Sequence, residues 1–166
     1  MRRTLLAAAR DLLETGGVEA VTLREAARLA GVSHNAPYRH FPSRDALLAA
    51  VAAEGFEALR RTLDAAAAAE PTAALTAQGR AYLRFAVGHR PLFRLMFGAV
   101  LESAAHPDLA AAAGLAFAAL RQVVAGAAPE RAVEREALRA WALVHGLAHL
   151  VADRRITLEQ AEASLA

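Results

Sequence analysis

The chain has 166 residues, enough for one substantial hydrophobic core or for a small domain joined to a larger one. Hydrophobic residues, about half of them alanine, make up 56% of it, and the formal net charge is only +2, so the chain is not a polycation that would bind nucleic acid by bulk electrostatics. There is no cysteine, which excludes disulfides, thiolate metal sites and cysteine catalysis. Because alanine is the best helix former and β-branched residues are scarce, the composition predicts an all-α fold.

The first residues resemble the start of a signal peptide, but the charged residues Arg10, Asp11 and Glu14 interrupt the apolar stretch. No run of uncharged residues reaches the roughly 18 that are needed to span a bilayer. We therefore expect a soluble cytoplasmic protein that has no membrane partner.

Two helices are predicted at the N-terminus. Leucine and alanine recur at helical spacing over residues 2–15, and the pair Gly16-Gly17 is expected to end that helix. Thr22 and Glu25 form a capping-box pattern, which predicts the start of a second helix. That helix is short, because Gly31 is a typical C-terminal stop.

Serines mark the starts of the next two helices. Ser33 is expected to cap a third short helix, which must end before Pro42. Ser43 is expected to cap a long fourth helix that reaches about Ala69.

The remainder of the chain also has helical patterns and no strand pattern. A second capping-box pattern at Thr157 and Gln160 predicts the start of a final helix. Five helices are predicted here, over residues 72–88, 91–97, 107–126, 129–153 and 157–166. The expected fold is therefore all-α with about nine helices.

The second and third helices, joined by a glycine turn, form a helix-turn-helix pattern. Pro37 and Phe41 are expected to pack inward from the third helix. Its other face carries the polar residues His34, Asn35, Tyr38 and Arg39. Such a face suits the major groove of DNA, where asparagine pairs with adenine and arginine with guanine.

Residues 1–48 resemble the DNA-binding domain of TetR-type repressors, with Gly31, Ser33, Tyr38, His40, Phe41 and the basic Arg44 all in register. The resemblance implies phosphate contacts from Thr22, Tyr38, His40 and Arg44. It places His34, Asn35 and Arg39 nearest to the bases and includes Ser33 in the DNA-binding set. Two residues depart from the family pattern: Asn35 replaces a glycine, and Pro37 replaces a leucine or isoleucine.

The segment Trp141 to Gly146 is similar to the Trp…His-Gly signature of one TetR C-terminal subfamily. This resemblance implies a DNA-binding domain over residues 1–48 and a ligand-binding and dimerisation domain over residues 49–166. It also implies that the last two helices, here 129–153 and 157–166, join two protomers, while the helices before them enclose a ligand.

Aromatic and methionine side chains are concentrated in the second half of the chain, which favours an apolar ligand cavity there, although each one alone is more typical of a core. The candidate ligand-binding residues are Phe85, Phe93, Met96, Phe97, Phe117, Trp141 and His145. His145 and His149 stand four apart, as a metal-binding pair could, but no third ligand is near in sequence. We therefore expect a hydrogen-bonded histidine in the core or the dimer interface, no metal and no cofactor.

The resemblance implies a DNA-binding transcriptional regulator that acts as a homodimer on double-stranded operator DNA. The expected form is a repressor that a small apolar or aromatic inducer releases; an activator is the alternative among regulators. An enzyme is not expected, because the sequence has no nucleophile elbow, no glycine-rich phosphate loop and no paired carboxylates in an apolar stretch. A protein-interaction module would leave the polar face of the third helix unexplained.

Overall fold

The computed structural model describes residues 1–67, 71–127 and 129–165. Within these ranges the backbone forms eight α-helices and three short 3₁₀ turns, and no strand. The helices are α1 (Arg2–Ala20), α2 (Leu23–Leu29), α3 (Arg44–Ala67), α4 (Pro71–Gly88), α5 (Arg90–Phe97), α6 (Pro107–Ala127), α7 (Val133–Ala152) and α8 (Leu158–Ala163). The prediction of an all-α fold is confirmed.

The chain divides into two compact units. Unit 1 comprises Met1–Phe56 and His89–Ala113, and unit 2 comprises Glu57–Gly88 and Gly114–Ala166. The first part of α3 belongs to unit 1 and its last part to unit 2. The domain boundary expected between residues 48 and 49 stays a prediction.

Helix α1 supplies much of the core of unit 1. Leu5, Leu6 and Leu13 are fully buried along one face. Helix α1 reaches Ala20, but its first regular segment ends at the glycine pair, as predicted. It is interrupted at Gly17, whose φ of +70° is a left-handed conformation that glycine adopts without steric cost.

Helix α2 begins and ends where the sequence predicts. The first bond of the predicted capping box is present, since the Thr22 hydroxyl accepts a hydrogen bond from the Glu25 backbone N–H at 3.1 Å. In place of the second bond, the Glu25 carboxylate accepts a hydrogen bond from Arg28 at 2.8 Å. At the other end Gly31 has φ +67° and donates to the Arg28 carbonyl, while Val32 donates to the Ala27 carbonyl. These two bonds make a Schellman motif, which turns the chain sharply away from the helix axis.

The predicted third helix is present only as a short 3₁₀ helix, and Ser33 does not cap it. The segment between α2 and α3 contains only a 3₁₀ turn over Pro37–Arg39. Successive bonds join Ala36 N–H to the Ser33 carbonyl at 3.0 Å and His40 N–H to the Pro37 carbonyl at 2.9 Å. The physical reason is Pro37, which has no N–H to donate to Ser33, so a regular ladder cannot begin at Ser33.

Helix α3 is capped as predicted, with the Ser43 hydroxyl accepting from the Ala46 N–H at 3.1 Å. The predicted end of this helix near Ala69 lies outside the described residues. The last helix, predicted to reach residue 166, ends earlier, at Ala163, with Ser164 as its C-cap.

Unit 2 is built around α4, which packs against α7 and α8. Both bonds of the predicted capping box at Thr157 and Gln160 are present at the start of α8. The short α8 buries Ala161, and its Glu162 pairs with Arg84 of α4 at 2.7 Å. The apolar side of α8 therefore faces its own chain.

Candidate DNA-binding surface and interior aromatic cluster

The segment between α2 and α3 presents its polar side chains on one side and its apolar side chains on the other. Pro37 and Phe41 are buried, as predicted. Six polar residues of this segment are exposed, namely Ser33, His34, Asn35, Tyr38, Arg39 and His40. Exposed amide, imidazole, phenol and guanidinium groups on one short segment are the donors and acceptors that base edges and phosphates require.

The Arg44 guanidinium lies against the C-terminal end of α1. Its Nε donates to the Val21 carbonyl at 2.7 Å, and its Nη2 donates to the Val18 carbonyl at 2.6 Å. Glu19 lies nearby, with a carboxylate oxygen 3.9 Å from Nη2. A cation at this position satisfies free carbonyls at a helix end and complements the helix dipole. Arg44 therefore holds α1 and the start of α3 together, and its predicted phosphate contact stays a prediction.

Arg2 is a basic residue that the sequence patterns did not single out. Its guanidinium carbon lies 5.4 Å from the centre of the Phe41 ring, in cation–π geometry. Because Phe41 directly follows the exposed His40, Arg2 adds a positive charge beside the polar segment. The sequence signal for this role is the arginine pair Arg2-Arg3, which precedes the apolar residues of α1.

Unit 2 contains a chain of aromatic rings that joins three helices. Phe117 of α6 contacts Trp141 of α7 with ring centres 5.8 Å apart, and Trp141 contacts His145 at 5.5 Å. His145 in turn contacts Tyr82 of α4 at 6.3 Å. Three of the predicted ligand residues are therefore brought together, with Tyr82 as a member that the sequence patterns missed. The fourth in this unit, Phe85, is buried on α4 one turn after Tyr82.

Polar groups of the same cluster are hydrogen-bonded to each other. The Tyr82 hydroxyl lies 2.8 Å from Nδ1 of His145, and Nε2 of His145 lies 3.2 Å from Nε2 of His149. Burial raises the pKa of the Tyr82 hydroxyl well above its usual range, and a hydrogen bond from Trp141 opposes that rise. Burial, and secondarily the charge of His149, lowers the pKa of His145. A neutral His145 accepts from the phenol and donates to His149.

Gln78 of α4 carries an amide and is buried, with 2% exposure. Its amide nitrogen donates to the carbonyls of Leu63 in α3 and Ala119 in α6, at 3.3 and 3.4 Å. Its Oε1 is buried without a hydrogen-bond partner among the described residues. An unsatisfied buried acceptor costs about 1–3 kcal/mol. In the sequence Gln78 is a lone glutamine one turn before Tyr82 on an otherwise apolar helix face, a pattern that does not identify its partners.

Three further residues predicted to bind ligand lie in unit 1. Phe93 and Phe97 of α5 have ring centres 4.8 Å apart, and Phe97 meets Phe56 of α3 at 5.1 Å. Met96 is buried beside Gly55, where an added Cβ would come 2.7 Å from its sulfur. Phe93 and Met96 are buried and Phe97 is half-buried in the unit that contains the polar segment, and the ligand role of all three stays a prediction.

Two family models together match most of the chain. Residues 5–51 match the model for bacterial regulatory proteins of the tetR family, and residues 75–166 match a tetracyclin repressor-like C-terminal domain. The chain belongs to the TetR family. Unit 1 accordingly contains its DNA-binding helix-turn-helix, and the chain is a DNA-binding transcriptional regulator.

Solved structures share the fold of this TetR-family chain along its length. A protein of unknown function from Rhodococcus sp. RHA1 is 35% identical, with a TM-score of 0.85, covering 98% of this chain and 90% of its own. A TetR transcriptional regulator from the same organism is 24% identical, with a TM-score of 0.69 and coverage of 99% and 90%. The multidrug binding protein EbrR, solved with imidazole, is 21% identical, with a TM-score of 0.71 and coverage of 99% and 87%. Among curated proteins no sequence matches the chain.

This TetR-family chain has an exposed apolar surface on α6 and α7. By length and composition α6 could cross a membrane, although the core helix of a soluble protein passes the same test, and 28% of an 18-residue window within residues 107–126 is buried. Leu115 of α6 is 59% exposed, and Leu143 of α7 is 51% exposed. Leu143, Gly146 and Leu150 follow each other at helical spacing, and all three are exposed.

Proposed function

We propose that the protein is a transcriptional repressor that binds operator DNA as a homodimer in the cytoplasm and leaves it when a small molecule occupies unit 2. The observation that carries the DNA-binding part is the exposed polar face of residues 33–40. It stands on the rigid frame made by the Schellman motif of α2, the buried Phe41 and the Arg44 bridge to α1.

The exposed apolar residues of α6 and α7 support a dimer formed through these two helices. A twofold axis at this surface would bury the same leucines on both protomers. The helices α6 and α7 of the two protomers would then form a four-helix bundle around one apolar core. The sequence had suggested residues 129–153 and 157–166 as partners. In place of the last helix we propose α6, because the apolar side of α8 is already buried against α4.

The ring cluster of unit 2 supports a small neutral aromatic or apolar inducer. Phe117, Trp141, His145 and Phe85 supply apolar and aromatic faces, and EbrR, which has this fold, was solved with the small heterocycle imidazole. Helix α3 is part of both units, so a conformational change at residues 57–67 can be transmitted along the helix to Arg44. Tenfold derepression requires a ligand that prefers the released state by about 1.4 kcal/mol.

Selection of binding sites from random duplex DNA by the purified protein tests this proposal. A dimer of helix-turn-helix units predicts a twofold-symmetric site whose half-sites lie about 34 Å apart, on successive major grooves. Small aromatic compounds are then screened for release of the selected site. Absence of any enriched sequence would favour a protein-interaction module or an enzyme instead.

A further inference from the structure

The amide orientation of Gln78 is fixed by its neighbours. The nitrogen faces two carbonyl oxygens, those of Leu63 and Ala119, at hydrogen-bonding distance. The opposite orientation would set an oxygen against both carbonyls, which repel it. The oxygen Oε1 therefore occupies the other arm of the amide, where no donor of the described residues reaches it.

The place of Gln78 in unit 2 connects it with the aromatic rings. Gln78 and Tyr82 stand four apart on α4, so they share one helix face. The Ala119 carbonyl that Gln78 contacts follows Phe117 on α6 by two residues. A molecule bound at Oε1 would therefore lie within one or two helical turns of the phenyl, indole, phenol and imidazole rings of the protein.

The burial pattern also restricts the charge of such a molecule. Among the described residues of unit 2 no charged side chain is buried, and the buried polar groups are the amide of Gln78 and the hydroxyl of Tyr82. A charged ligand would need a buried countercharge to offset its lost hydration. A neutral ligand needs only a donor for Oε1.

We infer that the interior of unit 2 binds a small neutral aromatic molecule whose hydroxyl or N–H group donates a hydrogen bond to Oε1 of Gln78. This inference rests on the proposed function and narrows its ligand from apolar or aromatic to aromatic with a donor. Gln78 is then the residue that determines specificity, because it distinguishes a phenol from a hydrocarbon of the same size.

The experiment compares phenol with toluene, which has a methyl group where phenol has its hydroxyl. Binding is followed in the absence of DNA by the fluorescence of Trp141, the one tryptophan of the chain. The affinity ratio of phenol to toluene is measured in the wild-type protein, in Gln78→Met and in Gln122→Met, which makes the same change at an exposed position of α6. Because all three proteins are tested with the same two probes, the difference in hydrophobicity between the probes affects all three ratios alike.

We expect the ratio to fall roughly three- to tenfold in Gln78→Met, the worth of one hydrogen bond between neutral groups, and to stay unchanged in Gln122→Met. If Gln78→Met does not fold, Gln78→Leu serves the same comparison.

An equal ratio in the three proteins would overturn the inference, as would a failure of both probes to bind or an ordered water that stays on Oε1 with phenol bound. Because these measurements contain no DNA, they are separate from the proposed function. Binding that depends on Gln78 but does not release the selected operator would leave the ligand site in place and contradict the repressor switch.

Discussion

Asn35 and Arg39 are the exposed side chains best suited to read bases. We expect Asn35→Ala and Arg39→Ala each to relax the preference at one base pair of each half-site, because a bidentate contact discriminates by about 1–3 kcal/mol. Site selection with each variant measures this. Tyr38→Phe is the control, since the loss of a phosphate contact weakens binding to all sequences alike. If both alanine variants select the wild-type site, the assignment of the base contacts is wrong.

Arg44 combines a structural role with a predicted DNA contact. Arg44→Ala removes two hydrogen bonds to the end of α1, so we expect a loss of about 1–3 kcal/mol in the free energy of unfolding by urea. At temperatures where the variant is folded, the slope of log affinity against log salt should also fall by roughly one if Arg44 meets a phosphate. A reduced stability with an unchanged slope would leave Arg44 only its structural role.

His145 makes the stability of unit 2 dependent on pH. Its folded-state pKa lies below its usual value of about 6.5, so the unfolded chain binds a proton more readily. The contribution of this residue is therefore complete above the unfolded pKa and is lost as the pH falls through the lower folded value.

We expect the unfolding temperature to drop between pH 7 and pH 5 in the wild type and to drop less in His145→Gln. His34→Gln, at an exposed histidine of the polar segment, is the matched control. A drop that is equal in all three proteins would contradict the assignment to His145.

Local capping chemistry made the helix boundaries readable from sequence. Thr22, Ser43 and Thr157 accept bonds from their own first turns, and Gly31 ends α2 in a left-handed conformation, so each signal acts within four residues. The 3₁₀ turn was not readable, because Ser33 favours the start of a helix whereas Pro37 lacks the N–H that would bond to the Ser33 carbonyl. The sequence pattern does not show which of these two effects is the stronger.

Side-chain partners across helices were less predictable than helix ends. The polar face of residues 33–40 was readable because Pro37 and Phe41 mark the inward side. The role of Gln78 was not readable, because its carbonyl partners lie 15 and 41 residues away in sequence. Only the packing of α3 and α6 against α4 brings those carbonyls to the amide.

The end of α7 offers a test of helix termination. Arg154 has φ +57° and occupies the position that Gly31 has at the end of α2, with Arg155 donating to the Leu150 carbonyl at 2.8 Å. A non-glycine residue in this conformation costs about 1–2 kcal/mol. We expect Arg154→Gly to raise the free energy of unfolding by about 1 kcal/mol, because glycine removes that strain but adds chain entropy.

Gly31→Ala makes the opposite change at the matched position of α2 and should lower the free energy of unfolding by a similar amount. Both are measured by urea denaturation. A loss of stability in Arg154→Gly would show that the side chain of Arg154 contributes more than its backbone strain costs.

At the scale of the whole molecule, the outer face of α7 should hold two protomers together. An added Cβ at Gly146 meets no atom of its own chain within 4 Å, so Gly146→Leu should fold. In a dimer packed through this face the leucine would collide with the partner helix. We expect a folded monomer by sedimentation equilibrium, with operator binding that is much weaker.

Gly88→Leu provides the control, since Gly88 is an exposed helical glycine at the end of α4 with equally open space around it. It should remain a dimer. A Gly146→Leu dimer of unchanged mass and operator affinity would place the interface elsewhere.

Sequence-specific DNA binding through the segment between α2 and α3 is the central claim, and one ratio tests it most directly. The dissociation constant for the selected operator is compared with that for a scrambled duplex of equal length, at a single physiological salt concentration. We predict that the wild-type protein binds the operator at least about 10³-fold more tightly than the scrambled duplex, as specific DNA-binding proteins do. A ratio near one would contradict the account.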